Sequence, residues 1–110
     1  MPSLSLETQL LFSDLSRDPD LVDLVALFVG ELPERVRTLE ELLASRDWQG
    51  LRRAAHQIKG AAGSYGFPAI SAVAAALESA AGQPAPEDEI RVCFEELTTL
   101  CLRARAGVPE

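Results

Sequence analysis

The chain has 110 residues, of which 47% are hydrophobic and only 5% aromatic, so one domain with an aliphatic core is expected. Seventeen acidic residues against ten basic ones leave a formal net charge of −7 and a pI near 4.6. That balance repels a phosphate backbone and anionic lipid, which argues against nucleic acid and membrane surfaces as partners. The opening MPSLSLETQLLF lacks a basic n-region and a long apolar stretch, so no secretory signal is expected. No apolar run approaches the roughly 20 residues that span a bilayer. Cys93 and Cys101 sit eight apart in a helical pattern, which is about 12 Å of rise and too far for a disulfide between them. They read as reduced core residues, and the whole fits a cytoplasmic protein.

Taken in order, Leu4, Leu6, Leu10, Leu11, Phe12 and Leu15 give an imperfect period, read as a short helix near 8 to 16 packed across the end of a bundle. Asp18-Pro19 is a helix start, with Asp18 as cap and Pro19 at the first position, where a missing N–H costs nothing. Leu21, Leu24, Val25, Phe28 and Leu32 follow at helical spacing. Pro33 should kink this helix without ending it, because Val36, Leu39 and Leu43 resume the pattern. One long helix is therefore expected from 19 to about 44. Asp47 caps the next helix, which begins at Trp48 and stops near Gly66, a suitable C′ residue. Pro68 opens a third helix that turns Ile70, Val73, Ala74 and Leu77 inward. The Gly82-Gln83-Pro84-Ala85-Pro86 segment breaks the chain. The last helix starts near Pro86, with Glu87, Asp88 and Glu89 at the positive end of its dipole and Arg103 and Arg105 in its last turn. Ile90, Phe94, Leu97, Leu100 and Cys101 form its inward stripe. No strand pattern survives. The fold class is all-α, an antiparallel four-helix bundle with a short extra N-terminal helix, in a single domain over 1–110 whose core spans about 12–105.

The chemistry concentrates in residues 54–67, AAHQIKGAAGSYGF, which contain the only histidine, His56. At about 100° per residue, Leu51, Ala54, Ala55, Ile58, Ala61, Ala62 and Tyr65 cluster on the side opposite His56. His56 therefore looks outward, together with Arg52, Lys59, Gly60 and Gly63. A glycine inside a helix costs about 1 kcal/mol relative to alanine. Gly60 and Gly63 lie one and two turns beyond His56 on its own face, and their missing side chains clear space beside the imidazole. Lys59 adds a cation about one turn away. A neutral imidazole nitrogen is a nucleophile near neutral pH, and a nearby cation offsets the negative oxygens of an incoming phosphoryl group.

HQIKGAAGSYGF, beginning at His56, resembles the His-x-x-Lys-Gly signature of histidine-containing phosphotransfer (HPt) domains. FVGELPERVRTLEELLASRDWQGLRRAAHQIKG is similar to the run-in of that family, and VAAALESAA to its following helix, so the likeness covers about residues 12 to 102. The resemblance implies a phosphorelay intermediate in which His56 is the phosphoacceptor and exchanges the group with an aspartate of a receiver domain. That receiver belongs to a response regulator or a hybrid histidine kinase. By the same resemblance Lys59 stabilises the phosphoryl charge, Gln57 is a candidate hydrogen-bond donor to it, and Gly60 leaves room for docking; Arg52 and Gly63, which share that face by helical phase, are the other docking residues expected. No cofactor is implied on this chain; the Mg²⁺ of the reaction is expected on the receiver. A monomer is expected.

Other readings fare worse. No phosphate-cradling loop is present, so kinase activity is not expected. One histidine, with no Cys-x-x-Cys or carboxylate cluster at ligand spacing, gives no metal site. Ser64 has no nucleophile elbow around it, which removes a hydrolase. The remaining alternative is a helical adaptor that binds a signalling partner without being phosphorylated. On the first half of the long helix, Val22, Leu27 and Val29 widen the apolar arc; packing against the N-terminal helix is expected, with an exposed receiver-docking patch as the alternative.

Overall fold

The computed structural model describes residues 9–83 and 86–108. Its elements are β1 (Leu11–Phe12), α1 (Val22–Ala44), α2 (Trp48–Ser64), α3 (Pro68–Gly82), α4 (Glu87–Arg103) and β2 (Ala104–Arg105). Local chemistry sets most of these boundaries. The Asp47 side chain accepts the Gly50 N–H at 2.9 Å and so caps α2. At the other end Gly66 takes φ +85°, the left-handed conformation that lets the chain leave a helix. Pro68 stands at the first turn of α3, and Glu87, Asp88 and Glu89 stand in the first turn of α4.

α2 packs most extensively on α3, α3 on α4, and α1 closes the ring against both α2 and α4. This is a helical bundle around one core. α1 contributes Val25, Phe28, Leu32, Val36, Leu39 and Leu43, all buried. α2 buries Leu51, Ala55, Ile58 and Ala62, and α3 buries Ile70, Ala74, Leu77 and Ala81, so alanine makes up half of each buried set. Phe28 is the aromatic centre. Its ring lies 5.6 Å from Tyr65 and 5.7 Å from Phe67, within the range of favourable tilted pairs. Burial pushes the Cys101 thiol up to about 12, and both cysteines are free.

Several expectations need correction. The N-terminal helix does not form over residues 9–16, and residue 8 lies outside the described residues. Serine chemistry explains this. Ser13 Oγ donates to Tyr65 O and accepts the Leu15 N–H at 2.9 Å, while Ser16 Oγ donates to Ser13 O at 2.8 Å. The Asp14 N–H donates to Gly66 O at 2.8 Å. These bonds satisfy groups a helix would have used. The preceding residues instead make β1, which pairs in parallel with β2, Leu11 beside Ala104 and Phe12 beside Arg105. Arg105 therefore belongs to β2, and Arg103 alone holds the last turn of α4.

Asp18 caps a turn leading into α1: its Oδ1 accepts the Asp20 N–H at 2.9 Å and its carbonyl accepts the Val22 N–H at 3.0 Å. The helix itself begins at Val22 instead of Pro19 and runs through Pro33. Leu24 is not inward but 42% exposed, and Leu27 is 60% exposed. The buried stripe of α1 passes to one side of them, and no described element covers them. Val29 does pack on the core, half-buried, as do Trp48, Phe94 and Leu100. Among the described residues no helix is long and apolar enough to cross a membrane.

Adjacent positions on α1 should therefore respond in opposite ways. Phe28→Ala is expected to cost about 3–5 kcal/mol in denaturant unfolding, the usual range for a buried aromatic. Leu27→Asp should stay within about 0.5 kcal/mol, as exposed substitutions do. A large loss at Leu27 would mean that its side chain is covered. Gly66→Ala should cost at least about 1–2 kcal/mol, because the left-handed backbone disfavours a Cβ and that atom would strike Ser13 Oγ.

Candidate functional site

The cap at Asp47 and the buried face of Leu51, Ala55, Ile58 and Ala62 fix the rotation of α2. That rotation puts His56 on the outside, with its side chain 63% exposed. Lys59 stands at the edge of the same face, its side chain 36% exposed. Across the groove α3 presents Glu78, the residue after buried Leu77.

Glu78 joins the two. One carboxylate oxygen lies 2.8 Å from His56 Nδ1, and the other accepts from Lys59 Nζ at 2.7 Å. A carboxylate can only accept, so in the neutral imidazole the proton resides on Nδ1. Nε2 is then left with its lone pair, on the side of the ring turned away from Glu78. The Lys59 hydrogen bond, more than the one from His56, holds the Glu78 carboxyl below the ordinary carboxylate value against a smaller opposing effect of desolvation. Glu78 thus remains an anion throughout the neutral range and keeps the imidazole in one tautomer.

The backbone beneath is braced as well. Ser71 Oγ on α3 donates to the Lys59 carbonyl at 2.9 Å. A Cβ added at Gly63 would lie 3.4 Å from that same hydroxyl oxygen, so Gly63 is in part a contact between helices. Gly60 is different, since an added Cβ would meet nothing within 4 Å. It is the open position beside His56. Gln57 is exposed next to it.

Two shallow clefts flank the Glu78 bridge. One, of about 410 Å³, is lined by Gln49, Arg52, Arg53, His56 and Glu78. The other, of about 320 Å³, runs past Arg52, Lys59, Glu78, Ser79 and Gly82. A larger depression of about 880 Å³ between α3 and α4 holds no histidine, and burial raises the thiol of its Cys93. Among the described residues no group of three or more His, Cys, Asp or Glu could hold a metal ion.

The structure thus brings His56, Lys59 and Arg52 together, with Gly60 beside them and Gly63 against α3. The residue that sequence reasoning missed is Glu78. One signal for it was available: Glu78 is the only charged side chain in α3, in a run otherwise made of alanine, serine and apolar residues.

A family model for the Hpt domain matches residues 23–107, most of the chain. No curated protein and no solved structure gives a significant match. The matched span contains α2, α3 and α4, all of α1 but Val22, and every residue of the His56–Lys59–Glu78 bridge. The chain belongs to the Hpt domain family, whose members act in the phosphorelays of two-component signalling and interact there with receiver domains.

Proposed function

We propose that His56 accepts a phosphoryl group from the aspartyl phosphate of a receiver domain and passes it to the aspartate of another. The observation that carries this reading is the Glu78 contact at Nδ1, which leaves Nε2 as the exposed nucleophile. The Nε2 lone pair attacks phosphorus, an N–P bond forms, the P–O bond to the aspartate breaks, and the aspartate leaves as a carboxylate. The ring then carries both the phosphoryl group and the Nδ1 proton, so it is formally cationic. Glu78 lies against that proton and stabilises the charge. Transfer to the next aspartate is the same step reversed, which suits a relay that gains and loses one group.

Lys59 offsets the phosphoryl oxygens from the C-terminal side of the histidine. Gln57 is exposed close enough in sequence to donate a hydrogen bond to them. Gly60 leaves room for the receiver's backbone, with Arg52 and Gly63 at the margin of that docking surface. The Mg²⁺ of the reaction sits on the receiver, and the chain works as a monomer without ATP chemistry of its own.

Incubation with a phosphorylated receiver should give an acid-labile, alkali-stable label on the wild type and none on His56→Gln. A wild type that stays unlabelled with several receivers would leave the adaptor reading in its place. Glu78→Gln should slow transfer about tenfold, the scale of one charge-assisted hydrogen bond, with the helical fold unchanged.

The pH dependence has a definite sign. The Glu78 pKa is lower in the folded than in the unfolded state. Its contribution is therefore complete above the unfolded value and is lost as pH falls through the lowered folded value. Carboxyl-carbon NMR should show Glu78 titrating below the other glutamates. Lys59→Met should raise its midpoint more than His56→Gln does, because the lysine is the larger cause of the shift.

A further inference from the structure

Arg35, Arg37, Arg46 and Arg91 each face a carboxylate on Glu31, Glu34 or Glu87. Among the described residues Arg52 takes no such partner, nor do Arg17, Arg53, Arg103 and Arg105. What sets Arg52 apart is where its side chain lies. A Cβ built on Gly82, the last residue of α3, would lie 2.9 Å from both Cδ and Nε of Arg52. The arginine stem thus occupies the space that Gly82 leaves, across the groove between α2 and α3. From that seat Arg52 lines both clefts, the one with His56 and the one with Lys59, and Glu78 stands in each.

Its place along α2 fits the histidine. Arg52 precedes His56 by four residues, one turn earlier on the same face, with about 5–6 Å between Cβ atoms. Helical side chains lean toward the N-terminus. The imidazole therefore leans toward the turn that carries Arg52, whereas Lys59 approaches from the opposite side.

Charge balance gives the site a use for this cation. Before transfer, Lys59 and Glu78 neutralise each other at 2.7 Å, which leaves Arg52 and Arg53 as surplus positive charges at the His56 cleft; of the two, only Arg52 also lines the cleft with Lys59. After transfer the phosphoryl group brings two negative charges and the ring one positive charge. The net charge that arrives is negative, and Arg52 is placed to offset it from both clefts. A guanidinium also matches two phosphoryl oxygens at once, which an ammonium does not.

We propose that Arg52, seated in the space left by Gly82, binds the phosphoryl oxygens once His56 carries the group. This rests on the phosphotransfer reading above and assigns Arg52 a contact with the group itself, in addition to any contact with a docked receiver.

The experiment uses two phosphodonors, phosphoramidate, which needs no docking surface, and a phosphorylated receiver. With both donors Arg52→Gln should label about tenfold more slowly than wild type, the scale of losing a charge-assisted hydrogen bond. Arg52→Lys should recover part of the rate. Gly82→Ala, which displaces the stem but keeps the charge, should fall between wild type and Arg52→Gln. Arg91→Gln, with the same change in net charge on α4, should stay within about twofold, as expected for an exposed surface charge. Proton–nitrogen NMR gives a readout without any partner: the Arg52 Nε–H resonance should shift on phosphorylation of His56 and stay put in His56→Gln treated with the same donor.

An Arg52→Gln protein that labels at the wild-type rate overturns the proposal. So does one impaired only with the receiver donor, which would make Arg52 a docking residue alone. An Arg52 resonance that does not move on phosphorylation overturns it as well. A wild type that neither donor labels overturns the phosphotransfer reading itself, a different result from a labelled wild type matched by Arg52→Gln.

Discussion

The Glu78 carboxylate is bonded through both oxygens to a neighbouring helix, one to an imidazole and one to an ammonium. A glutamate side chain is short, so this bridge requires α2 and α3 to run close together. Helix separation is set by the side chains at the contact, over a range of about 8–10 Å. Half of the buried residues of each helix are alanine, Ala55 and Ala62 on α2 and Ala74 and Ala81 on α3. Gly63 faces Ser71 across the groove. Small buried residues on both helices permit the close approach that the bridge needs.

The bridge orients more than it stabilises: the imidazole lies mostly in solvent, where an ion pair contributes little to folding. Stability comes from the aliphatic stripes and from Phe28 against Tyr65 and Phe67. Orientation and stability are therefore carried by opposite faces of α2. Charge on the outer face can be altered without disturbing the inner one. The outer face is also where a net charge of −7 is locally reversed: Arg52, Arg53 and Lys59 surround one carboxylate. A phosphoryl group approaching His56 meets cations first.

What the sequence made legible was local. Asp47, Gly66 and Pro68 carry their boundary roles in their own chemistry. The outward direction of His56 follows from helical phase, because the apolar residues of α2 agree on one buried side. The failures were of two kinds. Glu78 was missed because its role depends on a contact 22 residues away from His56, and phase on α3 alone marks it only as the neighbour of Leu77. The N-terminal segment was misread because its leucines suggested a period, while Ser13 and Ser16 had backbone groups on hand to bond instead. Leu24 failed for a related reason: it fits a helical stripe, but the stripe that faces the core is the one through Val25, Phe28 and Leu32. Periodicity identifies an apolar arc. Which part of a wide arc is covered depends on neighbours that the arc does not name.

The helical glycines near the site separate by the same test of what surrounds them. At Gly82 the Arg52 side chain lies where a Cβ would go, and at Gly63 a Cβ would touch the Ser71 hydroxyl at an ordinary contact distance. Both have a neighbour inside the chain. Gly60 has none, since an added Cβ would meet nothing. Alanine there would favour the helix by about 1 kcal/mol. Gly30 on α1 is equally open, but it has no nucleophile one turn away. At Gly60 the helix gives up that stabilisation one turn from an exposed nucleophile and gains nothing in packing. A gap that the fold does not fill, beside the group that reacts, fits the close approach of another molecule, which is what transfer between His56 and a receiver aspartate requires.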